Sequence, residues 1–116
     1  MHHIGNCCTV DKQERVEIAE DVFQKVNASI KFVSCEPLLE NVVFSNIEIF
    51  DWLIIGAQRN FNGQPAQQPK SGWVTSLLKQ ARDANLKVFF RPNLRVGPQK
   101  DKPMEYPEVP LPTEST

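Results

Sequence analysis

Hydrophobic positions along the chain change period several times, and each change marks a predicted element. Ile4 to Val10 is a short β-prone run. Asp11 follows, with Glu14 three residues on, a D-x-x-E form of the capping box that opens a helix. Val16, Ala19, Val22, Phe23 and Val26 then recur at helical spacing, while Glu17, Glu20, Asp21 and Lys25 take the other face. Asn27, tolerant of a left-handed backbone, closes this helix. Ile30 to Ser34 is the second strand, and Pro37 blocks its continuation into helix.

Residues 38–50 are mixed: Leu38, Leu39, Val42, Val43 and Phe44 are apolar, but no period persists. A loop with a short extended piece or a single turn is expected. Trp52 to Ile55 is an unbroken apolar run, suited to a strand covered on both faces. A polar loop from Asn60 to Lys70 follows, long for a strand-to-helix connection and therefore a candidate functional loop. Ser71 is the expected N-cap of a second helix, with Trp73, Val74, Leu77, Leu78, Ala81 and Ala84 as its apolar stripe and Asn85 as its end. Lys87 to Phe90 is the fourth strand. Beyond Leu94 the chain becomes polar and carries Pro98, Pro103, Pro107, Pro110 and Pro112, which predicts an extended or disordered tail.

The order is β-α-β-β-α-β. Strands joined through helices run parallel with right-handed crossovers. The predicted fold is α/β: a four-stranded, mostly parallel sheet equal to half of a TIM-like (β/α) barrel over residues 1–95, with an extended Pro-rich tail over 96–116.

Composition narrows the function classes. A formal net charge of -1 gives no field to gather nucleic acid or anionic lipid. No apolar run approaches the roughly 20 residues of a membrane span, and the N-terminus shows no signal-peptide pattern. Three cysteines, an odd number, point to reduced thiols and a cytoplasmic protein. Cys7 and Cys8 alternate across a strand, so joint grip on one metal is not expected. His2 and His3 lie on the terminus, no CxxC is present, and no metal site is predicted.

Parallel sheets gather ligands at the carboxyl ends of their strands. Those ends present Cys8 and Thr9, then Ser34, Cys35 and Glu36, then Gly56, Gln58 and Arg59, then Arg91 and Asn93. The candidate ligand rim is Cys35, Glu36, Gly56, Gln58, Arg59, Arg91 and Asn93, with no catalytic residue assigned. Its arginines are suited to a carboxylate or phosphate. Each member has a plainer role open to it. Cys35 fits a small buried hydrophobe, Glu36 could pair with Arg59 or Arg91, and Gly56 could simply admit close backbone approach. Trp52 and Trp73 fit core or interface positions better than a stacking platform.

The segments KFVSCEPLLENVVF, FDWLIIGAQ and WVTSLLKQARDANLKVFFRPNL together resemble the phage-type family of uncharacterised bacterial and bacteriophage proteins related to the radical S-adenosylmethionine enzymes. The likeness covers about residues 4–95, and its specific part is the S-C-E-P-L-L block. It implies that the chain corresponds to the carboxyl-terminal part of a (β/α) barrel. The upstream cysteine cluster that would bind a 4Fe-4S centre and S-adenosylmethionine is absent, so neither cofactor is expected unless an amino-terminal part completes the protein. Cys35, Glu36, Gly56 and Arg91 match the family pattern, whereas Gln58 and Arg59 stand where relatives carry small or acidic residues. The resulting expectation is a non-catalytic fragment or remnant of such a barrel. A split radical-SAM enzyme and a module binding a small anionic ligand are the alternatives. Half a barrel leaves an open edge, so a homodimer or a missing amino-terminal half is the expected partner.

Overall fold

The computed structural model describes residues 5–26, 30–57, 68–97 and 102–107, the side chains of 5–7 excepted. Four strands, β1 (Gly5–Thr9), β2 (Ile30–Cys35), β3 (Trp52–Ile55) and β4 (Lys87–Phe90), form one sheet in the order β1-β2-β3-β4. All three pairings are parallel, with Phe32 beside Trp52 and Ile54 beside Phe89. Two helices, α1 (Val16–Phe23) and α2 (Ser71–Asp83), link β1 to β2 and β3 to β4. The predicted strands fall where the β-prone runs lie, and β3 and β4 match to the residue.

Alternation of side chains across the pleat gives the sheet two unlike faces. Val33, Cys35, Leu53, Ile55, Val88 and Phe90 are fully buried and join Val16, Ala19, Phe23, Val74, Leu77 and Ala81 of the helices in one core. Both helices therefore cover the same face. Ile54 and Phe89 are buried on the opposite face, outside that core, in a layer with Phe32, Trp52 and Tyr106. Among the described residues that layer carries no helix.

The β2–β3 connection takes the place of a third helix. It is irregular apart from a 3-10 turn at Ile47–Ile49, yet Leu38, Val42, Phe44, Ile47 and Phe50 are buried in the main core. Its backbone is tied down by side chains of the elements beneath, as a buried loop requires. The Gln13 amide accepts from the Val43 N–H at 2.7 Å and donates to the Val43 carbonyl at 2.8 Å. Gln80 of α2 accepts from the Phe44 N–H at 2.9 Å and donates to the Val42 carbonyl at 3.0 Å. Glu20 of α1 accepts from the Asn46 N–H.

Three local expectations change. The capping box at Asp11 does not form; a 3-10 turn at Gln13–Arg15 leads into α1, and Asp11 pairs with Arg15 at 2.8 Å instead. Glu20, placed on the polar face by periodicity, is buried because the irregular loop brings it a backbone donor. Ser71 is the first helical residue and Lys70 the cap, without a side-chain bond. Asn85 closes α2 in the left-handed conformation at φ 62°, as its residue type predicts. The first helix stops at Phe23 with Gln24 as its cap, short of the end expected at Asn27. The expectations for His2, His3, Gln58 and Arg59, for most of the 60–70 loop, and for the Cys7 side chain fall outside what is described, as does Asn27 itself.

Residues 102–107 lie in the Pro-rich stretch, yet they pack against the sheet. This segment runs antiparallel along β4: the Phe90 N–H donates to the Pro103 carbonyl and the Glu105 N–H to the Val88 carbonyl, both at 2.8 Å. Arg82 of α2 grips Glu105 with both terminal nitrogens, at 2.7 and 2.8 Å, and the Val88 N–H donates to the same carboxylate. The Trp52 indole N–H donates to the Glu105 carbonyl at 2.9 Å. These bonds strap the segment over the β4 edge.

The Arg82 hydrogen bond, helped by the Val88 N–H, holds the Glu105 carboxyl below its ordinary value. A depressed folded-state value stabilises the fold above the unfolded value and is lost as pH falls through the folded one. Glu105→Gln should therefore cost about 1 kcal/mol or less at neutral pH, since the pair is partly solvated. It should also flatten the stability loss seen in the parent below the ordinary glutamate range near 4.5. Urea unfolding of both proteins across that range checks this; parallel pH profiles would remove the role given to Glu105.

Candidate functional site

The pleat decides which rim residues can meet. Counting in twos from Phe32 gives Ser34 and Glu36; from Trp52, Ile54 and Gly56; from Phe89, Arg91. Glu36, Gly56 and Arg91 thus leave the carboxyl ends of three adjacent strands on the helix-free face. Arg91 Nε donates to Glu36 Oε1 at 3.1 Å, closing a pair across β2, β3 and β4. The plainer reading of Glu36, a rim partner of Arg91, is realised.

Gly56 is what lets this pair span β3. A Cβ there would lie 2.7 Å from Glu36 Cγ and Oε2 and 2.8 Å from Cδ. Gly56 has no positive φ, so its value is the space it leaves and not its backbone freedom. The Glu36 side chain crosses β3 through that space. The Glu36–Pro37 peptide is cis.

Cys35 goes the other way. It points into the helix-side core with no exposed surface, and burial, with smaller contributions from Cys8 and Asp11, pushes its thiol well up. It acts as a small apolar filler and not as a nucleophile or thiolate ligand. Asn93 is likewise a structural member: its amide accepts from the Ala57 N–H at 3.2 Å and donates to the Ala57 carbonyl at 3.0 Å. It ties the chain after β4 to the end of β3. Gln68 extends this brace, donating to the Asn93 carbonyl and accepting from the Arg95 N–H. Gln58 and Arg59 lie outside the described residues.

Phe32, Ile54, Phe89 and Tyr106, none of them singled out from the sequence, complete the site together with Arg91 and Trp52. Phe32, Trp52, Ile54, Phe89, Arg91 and Tyr106 line a shallow cleft of about 280 Å³ on the helix-free face. Trp52 is the hub: its ring lies 5.3 Å from Phe32, 6.3 Å from Phe89 and 5.6 Å from Tyr106. The Arg91 guanidinium sits 5.9 Å from the Phe89 ring. The available signal was the period-2 spacing of aromatics from 32, 52 and 89 toward the rim residues. Tyr106 gave none, because only the strap brings it here.

The residues present do not fit a 4Fe-4S centre. Such a cluster with one open iron requires three thiolates; the chain has three cysteines, and Cys35 is sealed in the core. Among the described residues no group of three His, Cys, Asp or Glu side chains could hold a metal ion, and no helix is long and apolar enough to cross a membrane.

In class, then, this is a mixed α/β domain with a four-stranded all-parallel sheet, helices on one face and a charged pair over an aromatic layer on the other. The chain belongs to the family described as "Protein of unknown function (DUF5131)", which it matches over residues 2–102. No curated protein and no solved structure matches it.

Gly56→Ala tests the close approach. Glu36 is a flexible side chain, so it should swing aside, lose Arg91 and leave the fold intact, at a cost of about 1 kcal/mol. The Arg91 Nε–H resonance should move to a solvent-exchanging position with the thermal transition little changed. An unshifted resonance would show that Glu36 does not cross β3 as described.

Proposed function

We propose that the chain is a non-catalytic α/β domain that binds a small anionic ligand, with Arg91 as its cation. The single observation behind this is the Glu36–Arg91 pair on the helix-free face at the carboxyl ends of parallel strands. Glu36 engages only Nε. The two terminal nitrogens make no hydrogen bond among the described residues, and they are the fork that recognises carboxylates and phosphates. Arg91 is also partly exposed, at 44%, while Glu36 is at 18%, so the cation is the accessible partner.

We further propose descent from a radical-SAM-like (β/α) barrel of the type found in bacteria and bacteriophages. Parallel strands with both described helices on one face support this: in a closed barrel the other face would line the interior. In that reading residues 1–95 are the barrel part and the cytoplasm is the compartment, in keeping with an odd number of cysteines and a buried thiol. Isothermal titration with inorganic phosphate and acetate tests the binding. Arg91→Ala should weaken the interaction by tenfold or more, about 1.4 kcal/mol, and unchanged titrations would end this reading.

A second observation favours a partner. The strap occupies the edge of β4, whereas β1 has no neighbour on its outer side among the described residues. Beside it α1 exposes Ile18 and Val22, at 67% and 50%. One open edge flanked by apolar side chains suits a closed twofold dimer, since a single edge cannot propagate a fibre. Light scattering should give the dimer mass at micromolar concentration, with Ile18→Glu reverting to monomer; a monomeric parent refutes the pairing.

A further inference from the structure

We infer that the ligand is an aromatic monocarboxylate, its ring laid on the Phe32–Trp52–Tyr106 surface and its carboxylate on the Arg91 fork. This rests on the anion-binding reading above and adds the class of molecule. Four observations converge on it.

The floor is aromatic and aliphatic, and among the described residues Arg91 is the only charged side chain lining it, so the cleft pairs one flat apolar surface with one cation. Rings stack favourably at centroid separations of about 4.5–7 Å, and the cluster already packs its own members at 5.3–6.3 Å. A ligand ring would extend this stack. The cleft is open and shallow, and its volume of about 280 Å³ accommodates a small ligand. One ring with a short acid group fits it. Charge sets the valence: Glu36 already holds Arg91 Nε at 3.1 Å, so the ligand meets a cation with a carboxylate beside it. A single negative charge is compensated there, while a second is repelled, which disfavours phosphate dianions. Finally, Tyr106 is 64% exposed and reaches the cleft from the strap. It leaves part of its ring open to a ligand.

The experiment is titration of the full chain with benzoate, acetate and phenyl phosphate, followed by calorimetry and tryptophan fluorescence, on the parent, Arg91→Ala and Tyr106→Ala. Benzoate should bind about tenfold more tightly than acetate and change the Trp52 emission. Arg91→Ala should abolish both titrations, and Tyr106→Ala should weaken benzoate several-fold while leaving acetate unchanged. Tyr106 is a surface residue, so folding is preserved in that variant. Equal, Arg91-dependent binding of acetate and benzoate would overturn the aromatic inference and keep the anion site. Tighter binding of phenyl phosphate than benzoate would overturn the preference for one charge. Absence of Arg91-dependent binding to any probe would remove the anion site itself.

Discussion

Everything in this molecule follows from side chains alternating across four strands that run the same way. Because the strands are parallel and in register, every second residue of β2, β3 and β4 lands on the same face, and all three carboxyl ends lie on one side. One set of positions is sealed against helices and a buried loop. The other set ends in Glu36, Gly56 and Arg91. A one-residue slip of β2 would exchange its two sets, drawing Cys35 to the rim and Glu36 into the core. Burying that carboxylate unpaired and exposing Val33 both oppose such a slip.

The charged pair is too solvated to matter much to stability; exposed and half-exposed pairs contribute about 0–1 kcal/mol. Its effect is positional. Glu36 fixes the plane of the Arg91 guanidinium by taking Nε, and Gly56 supplies the path by which it can do so. Asn93 and Gln68 brace the chain just after Arg91 through backbone bonds, so the strand end cannot drift. The rim therefore combines a loosely held charge with a firmly held backbone.

The two sheet edges are treated differently. At β4 a proline-bounded segment supplies antiparallel backbone bonds and is fastened by the bidentate Arg82–Glu105 pair, which blocks further pairing. The same segment carries Tyr106 onto the aromatic layer and gives the Trp52 indole its acceptor. Edge protection and construction of the cleft are thus one device. At β1 no such cover exists among the described residues, and the adjoining helix presents apolar side chains.

Local pattern was enough to place the four strands, the core stripe of α2 and the left-handed end at Asn85, because each rests on neighbours within a few residues. It also offered the plain roles that Cys35 and Glu36 have in the structure, a buried filler and a partner of Arg91. The rest required contacts between distant segments. Glu20 is buried only because Asn46, far along the chain, offers it an N–H; residues 38–50 pack as a core layer without any period because Gln13 and Gln80 satisfy their backbone. Alternation within β2 could separate Cys35 from Glu36. But the alignment of Phe32, Trp52, Ile54 and Phe89 into one surface is a property of register between strands, and Tyr106 joins them only through the strap. Periodicity reports which side of its own strand a residue takes; which residues then share a surface is settled by pairing across the sheet.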